Sequence, residues 1–164
     1  MATRKIYPKD GLDDLIKDLN KLAQETKEIT DAGVYEGAGI VAEHYRKQIQ
    51  AVPVDNRTFA DKNEMLKGIT QAQKAGLLEA MGISPYRHSI NTSQKKIGVD
   101  GYNNIKTKKF PNGQPNIVIA RSICAGTSFR EKFDFAGKAK RGSRTKALEK
   151  MKETVKKEIA KRTK

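Results

Sequence analysis

Five small residues, Ala32, Gly33, Gly37, Ala38 and Gly39, crowd the stretch that leads into an apolar stripe of Ala38, Val41, Ala42, Tyr45 and Ile49. Spacings of i, i+3, i+4, i+7 and i+11 put that stripe on one face of a helix. The lack of bulk along its first half lets a neighbouring helix or sheet come close to the backbone. The pattern runs toward Val52 and stops at Pro53, which has no N–H to continue it. Whatever fold the chain adopts must therefore supply a partner for a helix that is nearly bare on one side.

The rest of the chain offers such partners. Leu12, Leu15, Ile16, Leu19 and Leu22 recur at helical spacing, with Asp13, Asp14, Lys17, Asp18 and Lys21 on the other face. This predicts a first amphipathic helix with Asp10 as its N-cap. Pro53 to Pro85 has weaker patterning: Val54 to Thr58 reads as a turn, followed by one or two helical turns around Met65, Leu66, Ile69, Leu77, Leu78 and Met81. Ile90, Ile97 and Val99 fit short strands, with Asp100-Gly101 and Asn112-Gly113 as turns, so a small antiparallel sheet with an extended polar loop is expected. The run from Asn116 to Cys124 suits either a buried strand or a helix, and Pro115 before it with Gly126 after it favours helix. Leu148, Met151, Val155 and Ile159 define a last helix that should pack on the body of this subunit or on a neighbour, set off by a hinge at Gly137 to Ser143. The expected fold class is α+β: a small antiparallel sheet packed against two N-terminal helices, with a basic C-terminal helix. One domain over residues 1–164, with residues 138–164 as a basic helical segment, suits the length.

Charge is unevenly spread over a chain of net +14. Asp10 to Glu36 holds eight acids and three bases, whereas Lys138 to Lys164 holds twelve bases and three acids. A third, basic stretch runs from Arg87 to Lys109, with six bases against Asp100. Such a distribution suits a solvated face, head-to-tail assembly of acidic and basic ends, or contact with nucleic acid. Zinc-finger, zipper and RNP-type signatures are missing from the sequence, so no recognition module sharpens the last of these. No run approaches the ~18–20 apolar residues of a bilayer span. Met1 to Pro8 lacks the apolar stretch of a signal peptide, so folding inside the cell and no membrane partner are expected.

Tests for chemistry leave no enzyme signature, and no cofactor or metal is expected. Gly37-Ala38-Gly39-Ile40-Val41-Ala42 matches a relaxed dinucleotide fingerprint but lacks the preceding strand, and reads better as a helix-packing surface. His44 and His88 have no Cys or Asp at ligand spacing, and a lone Cys124 in an apolar run behaves as a small hydrophobe. Asp134, between Phe133 and Phe135, has no partner carboxylate for acid–base work.

Taken in order, three stretches resemble the tail-completion or head–tail joining proteins of tailed bacteriophages, the group that includes lambda-type minor tail protein Z. Gly11 to Leu22 is similar to the opening amphipathic helix of that family. Gly37 to Asp55, ending Ala51-Val52-Pro53-Val54-Asp55, resembles its second helix and the Ala-Pro-Val-Asp motif that closes it. Ile119 to Ser128, with Gly126-Thr127-Ser128, and then Phe133-Asp134-Phe135 resemble the family's Glu-Phe-Gly-Thr-Ser and Pro-Phe block before the last helix. This chain has Cys124-Ala125 for the Glu-Phe pair, Lys132 for the proline, and a longer insertion over residues 56–82.

The resemblance implies a non-enzymatic virion protein made in the bacterial host cytoplasm. It would form a homo-oligomeric ring, hexameric by the family pattern, at the end of the tail tube. Its implied neighbours are a tail terminator or tail tube protein and head–tail connector proteins, with non-specific contact to genomic double-stranded DNA. The family-motif positions are Pro53, Asp55, Gly126, Thr127, Ser128, Phe133 and Phe135. Expected interface residues are Lys106, Lys108, Lys109 and Phe110 on the polar loop from Asp100 to Gln114, read as an arm, and Lys138, Lys140, Arg141 and Arg144 near the last helix. The alternative function is a stand-alone basic nucleic-acid-binding protein.

Overall fold

The computed structural model describes residues 9–57, 64–89 and 92–162, without the side chains of residues 9–14 and 18. The side chains of Asp10 and Leu12 and the strand residue Ile90 lie outside the described residues; Asp10 itself is helical, so it does not stand before the helix as the expected cap.

The α+β class, the antiparallel strand pairing and the basic C-terminal helix are as expected. The two N-terminal stripes, however, belong to one continuous helix, α1 (Lys9–Gln50), of 42 residues. At 1.5 Å per residue it is ~63 Å long. Glycines weaken a free helix by ~1 kcal/mol each relative to alanine, so local preference alone argues for a break between the stripes. The tertiary partner decides otherwise. The C-terminal helix, α4 (Phe135–Arg162), lies antiparallel along α1. A β-carbon built on Gly33 would sit 2.8 Å from Val155 Cγ2, and one on Gly37 would sit 2.5 Å from Met151 Cγ. The facing side of α4 is equally spare: Ala139, Ser143 and Ala147 are buried at steps of four residues, after Phe135. Two helices with small residues in register approach closely along one seam.

That seam corrects one expectation and divides another. Gly137 to Ser143 is no hinge, because it lies within α4 with Ala139 and Ser143 buried. Of the apolar set on α4, Met151 and Val155 turn toward α1, but Leu148 and Ile159 are largely exposed. The antiparallel arrangement also places the acidic part of α1 beside the basic end of α4, where Arg162 Nη2 reaches Glu28 Oε2 at 3.2 Å.

Short elements close the other face of α1. α2 (Gln71–Glu79) starts at a capping box in which Thr70 Oγ1 accepts from the Gln73 N–H and Gln73 Oε1 accepts from the Thr70 N–H. β1 (Met81–Ile83) pairs antiparallel with β4 (Ile97–Val99), and β2 (Arg87–Ser89) with β3 (Thr92–Gln94). The expected sheet is thus two separate two-stranded ribbons. α3 (Asn116–Ala125) resolves the ambiguous run as a helix. The core joins Ala42, Ile49 and Val52 of the α1 end to Ile69, Leu77, Met81, Ile119, Ala120, Ile123 and Phe135, with Ile83, Ile97 and Val99 of the β1–β4 ribbon packed against it. Among the described residues no helix is long and apolar enough to cross a membrane.

Candidate functional site

The most elaborate polar construction in the molecule stands where α1 ends. Pro53 stops the helix, and the next residues form a parallel bridge with the strand-like segment before α2. The Asp55 N–H donates to Ile69 O at 2.9 Å, and the Ile69 N–H donates to Pro53 O at 3.1 Å. Gly68 is required there, since its β-carbon would lie 1.9 Å from Pro53 O.

The bridge holds Asp55 in place. Its Oδ2 accepts from Arg57 Nη2 at 2.7 Å and from the Lys67 N–H at 3.0 Å, while Oδ1 accepts from Arg57 Nε at 2.9 Å. This bidentate pairing with Arg57, helped by the Lys67 N–H, holds the carboxyl of Asp55 well below the usual carboxylate range and raises Arg57. Arg57 also grips Glu64, Nη1 to Oε2 2.7 Å. Asn56 Oδ1 accepts from the Gln71 N–H at 3.0 Å, at the first turn of α2.

The second motif block folds onto the first. Gly126, with φ +76°, ends α3 in a conformation that favours glycine. Thr127 and Arg130 then close a tight turn through reciprocal backbone bonds of 3.0 and 3.3 Å. Leu66 joins this turn to the first block, donating to Phe129 O at 2.9 Å and accepting from the Glu131 N–H at 2.8 Å. Ser128 and Phe129 are exposed at its tip. Arg130 is buried beneath it, with Nη1 donating to Ser122 Oγ at 2.7 Å and Nε left without a partner. Burial lowers its pKa, and the negative charge of Asp55 works in the opposite direction.

Phe133 and Phe135 carry the turn into α4. The Phe133 N–H donates to Ile123 O at 2.8 Å, and the buried Phe135 ring meets Tyr45 edge-on at 6.3 Å. Asp134 caps the helix, its Oδ1 accepting from the Gly137 N–H at 2.8 Å. Here Lys138 Nζ lies 4.1 Å from the Phe133 ring centroid and Arg141 Nη2 is 3.7 Å from Asp134 Oδ2. Lys140 and Arg144 are exposed on the same helix.

The structure therefore brings together Pro53, Asp55, Gly126, Thr127, Ser128, Phe133 and Phe135 with Lys138 and Arg141. It does not bring the polar loop to them. Lys106, Lys108 and Lys109 are exposed on a loop that is folded back rather than extended. The Asn103 N–H donates to Gln114 O at 3.0 Å, Asn103 Oδ1 accepts from the Gln114 N–H at 3.2 Å, and Gln73 Nε2 ties Gln114 to α2 at 2.9 Å. Phe110 is half-buried in a turn closed with Thr107.

Arg57, Arg130 and the capping role of Asp134 escape sequence reasoning. Only Asp134 carries a local signal, an acid three residues ahead of a helical N–H. Of the other candidates, Gly37 packs against Met151, whereas Gly39 has open space beside it and His88 is exposed. Gly37 and Gly39 lie inside α1, His88 stacks on Tyr86 with Nε2 3.7 Å from Asp31 Oδ2, and burial pushes the Cys124 thiol up. No group of His, Cys, Asp or Glu able to hold a metal exists among the described residues. No protein-family model matches the chain, and no curated protein or solved structure is significantly similar to it.

Proposed function

We propose that the chain is a non-enzymatic structural subunit of the phage tail-completion type, which assembles as a ring at the end of a tail tube and helps to join tail to head. One observation carries the reading. The two motif blocks that resemble this family, Gly37 to Asp55 and Ile119 to Ser128, meet at a single junction through the segment from Leu66 to Ile69, which bonds Phe129 and Glu131 on one side and Pro53 and Asp55 on the other. Ser128 and Phe129 are exposed at the turn, and Lys138, Lys140, Arg141 and Arg144 are exposed on the first turns of α4; aromatic and arginine side chains are among those that protein interfaces favour. Its partners in this reading are further copies of the chain, a tail terminator or tube protein and connector proteins, and its place is the virion.

The test replaces Lys138, Lys140, Arg141 and Arg144 by Gln together and follows particle assembly beside duplex DNA binding. The expected result is folded protein, loss of head–tail joining, and wild-type DNA affinity no better than the ~10⁻⁴ to 10⁻⁶ M of non-specific binding at physiological salt. Sequence-selective affinity near ~10⁻⁸ M or tighter, with normal joining by the variant, would replace this reading with dedicated nucleic-acid binding.

A further inference from the structure

Arg130 is a buried cation that the subunit leaves poorly satisfied. The residue is 8% exposed, under the turn that Thr127 and Arg130 close with reciprocal backbone bonds. Its guanidinium makes one hydrogen bond, from Nη1 to the hydroxyl of Ser122 at 2.7 Å. Nε is buried without a partner, and Nη2 has no acceptor among the described residues. The charge of Asp55 reaches Arg130, but both oxygens of that carboxylate are engaged, Oδ1 with Arg57 Nε and Oδ2 with Arg57 Nη2 and the Lys67 N–H. A charge taken out of water with so little in return is costly, and buried polar groups otherwise find partners.

Arg57 shows what the unused edge of a guanidinium accepts. Its Nε and Nη2 hold the two oxygens of Asp55 side by side, at 2.9 and 2.7 Å. Arg130 has the same Nε–Nη2 edge free. In the same turn Thr127 Oγ1 is also buried without a partner, so a hydroxyl donor is unused as well. One group that only accepts, through two oxygens in a plane, meets this set of donors, and that group is a carboxylate. A phosphodiester brings acceptor oxygens too, but it is tetrahedral and carried within a polymer backbone. The donors here are closed off from solvent, which favours a single slender side chain. Above them the turn is open to a partner: Ser128 is exposed, and Phe129, 48% exposed, has its ring centroid 5.7 Å from Arg130 Cζ.

We infer that the turn from Thr127 to Arg130 receives the carboxylate of an Asp or Glu side chain from a partner protein, with the Nε–Nη2 edge of Arg130 as bidentate donor and Thr127 Oγ1 as a third. Admission requires the Ser128–Phe129 tip to lift, a local rearrangement of the kind regulated interfaces use. The inference rests on the junction being a protein interface, and it adds the chemistry the partner must bring, an acid at the point of contact.

The test is an NMR titration of the full chain with acetylated and amidated Gly-Glu-Gly, whose one carboxylate is the Glu side chain. The matching Gly-Gln-Gly peptide and a single-stranded oligothymidylate serve as comparisons. The Arg130 Nε–H and the Ser128 and Phe129 amides report on the turn, and the Lys138 and Arg141 amides report on general attraction to a chain of net +14. The Glu peptide is expected to shift the turn signals saturably, and the Gln peptide to leave them in place. Arg130→Lys is expected to weaken the Glu peptide by about tenfold, and Thr127→Val by less. Circular dichroism checks that both fold, and the wild-type signals decide the matter even where a variant does not. Turn signals that stay still while those of α4 move, equal responses to the Glu and Gln peptides, a tighter response of the turn to oligothymidylate, or unchanged affinity in a folded Arg130→Lys protein would each overturn the inference. No particle is involved, so failure here is distinct from failure of head–tail joining.

Discussion

Replacing Gly68 by Ala tests whether the junction at the end of α1 is a rigid construction. The new β-carbon would lie 1.9 Å from Pro53 O and 2.5 Å from Pro53 C, both backbone atoms, so no side-chain rotation relieves the clash. The two segments must separate, which breaks the Asp55-to-Ile69 and Ile69-to-Pro53 backbone bonds and disturbs Ile69, a fully buried core residue. Two buried backbone groups left unpaired cost ~1–3 kcal/mol each. Partial loosening of Ile69 adds ~1 kcal/mol, a fraction of the ~2–5 of a full truncation to alanine. The alanine returns ~0.4–1 kcal/mol by restricting the unfolded chain. The net loss is therefore about 2–7 kcal/mol, a large part of the ~5–15 kcal/mol available to a domain. At ~2–4 °C per kcal/mol for a chain of this size, Tm should fall by about 4–28 °C. Urea denaturation followed by helical circular dichroism measures the loss, and Gly39→Ala is the control. Nothing lies within 4 Å of its β-carbon, so that substitution should stabilise α1 by up to ~1 kcal/mol. A loss below ~1 kcal/mol in Gly68→Ala would refute the reasoning, because it would mean the bridge can part freely.

Three shorter predictions follow the same junction and seam. The bonds from Arg57 and the Lys67 N–H depress the pKa of Asp55, so its contribution to stability is complete above the ordinary aspartate value of ~3.9 and is lost as pH falls toward the depressed one. Asp55→Asn should flatten the acid limb of the stability–pH curve, and an unchanged limb in that variant would count against the assignment. Asp134→Ala should cost ~0.5–2 kcal/mol in urea denaturation by removing the acceptor for the Gly137 N–H, and Asp134→Asn should keep most of it. Leu148→Ala should cost less than ~1 kcal/mol in the monomer because the side chain is largely exposed, whereas a loss of ~2 kcal/mol or more would place it in a core.

Much of this fold is legible in the sequence, and what is not has a common cause. The stop at Pro53, the helix between Pro115 and Gly126 and the turns at Gly101 and Gly113 rest on local chemistry that tertiary context leaves alone. The continuity of α1 does not. Its glycines argue for interruption, and only the presence of α4 against Gly33 and Gly37 outweighs that preference. The face of α4 that binds α1 is hidden for a related reason: Ala139, Ser143 and Ala147 are not hydrophobic enough to register as a stripe, so Leu148 and Ile159 attract attention instead. A search for small residues at steps of four on two separate helices would have matched Gly33 and Gly37 with Ala139, Ser143 and Ala147. At the junction the motif positions could be named one by one, but their meeting depends on Leu66, a residue with no feature of its own. Arg130 illustrates the limit, since a buried arginine looks like any surface base until its turn is built.

The seam also explains how so basic a helix is tolerated. Glu153 lies 2.6 Å from Lys157 and 3.5 Å from Lys150, and Glu158 lies 2.6 Å from Lys161 and 2.9 Å from Arg162. These exposed pairs are worth little individually, and they leave most of the positive charge on α4 uncompensated. Self-repulsion in an isolated helix of this composition opposes folding. Packing of the small-residue face against α1 must supply the difference, which requires the close approach that Gly33 and Gly37 permit.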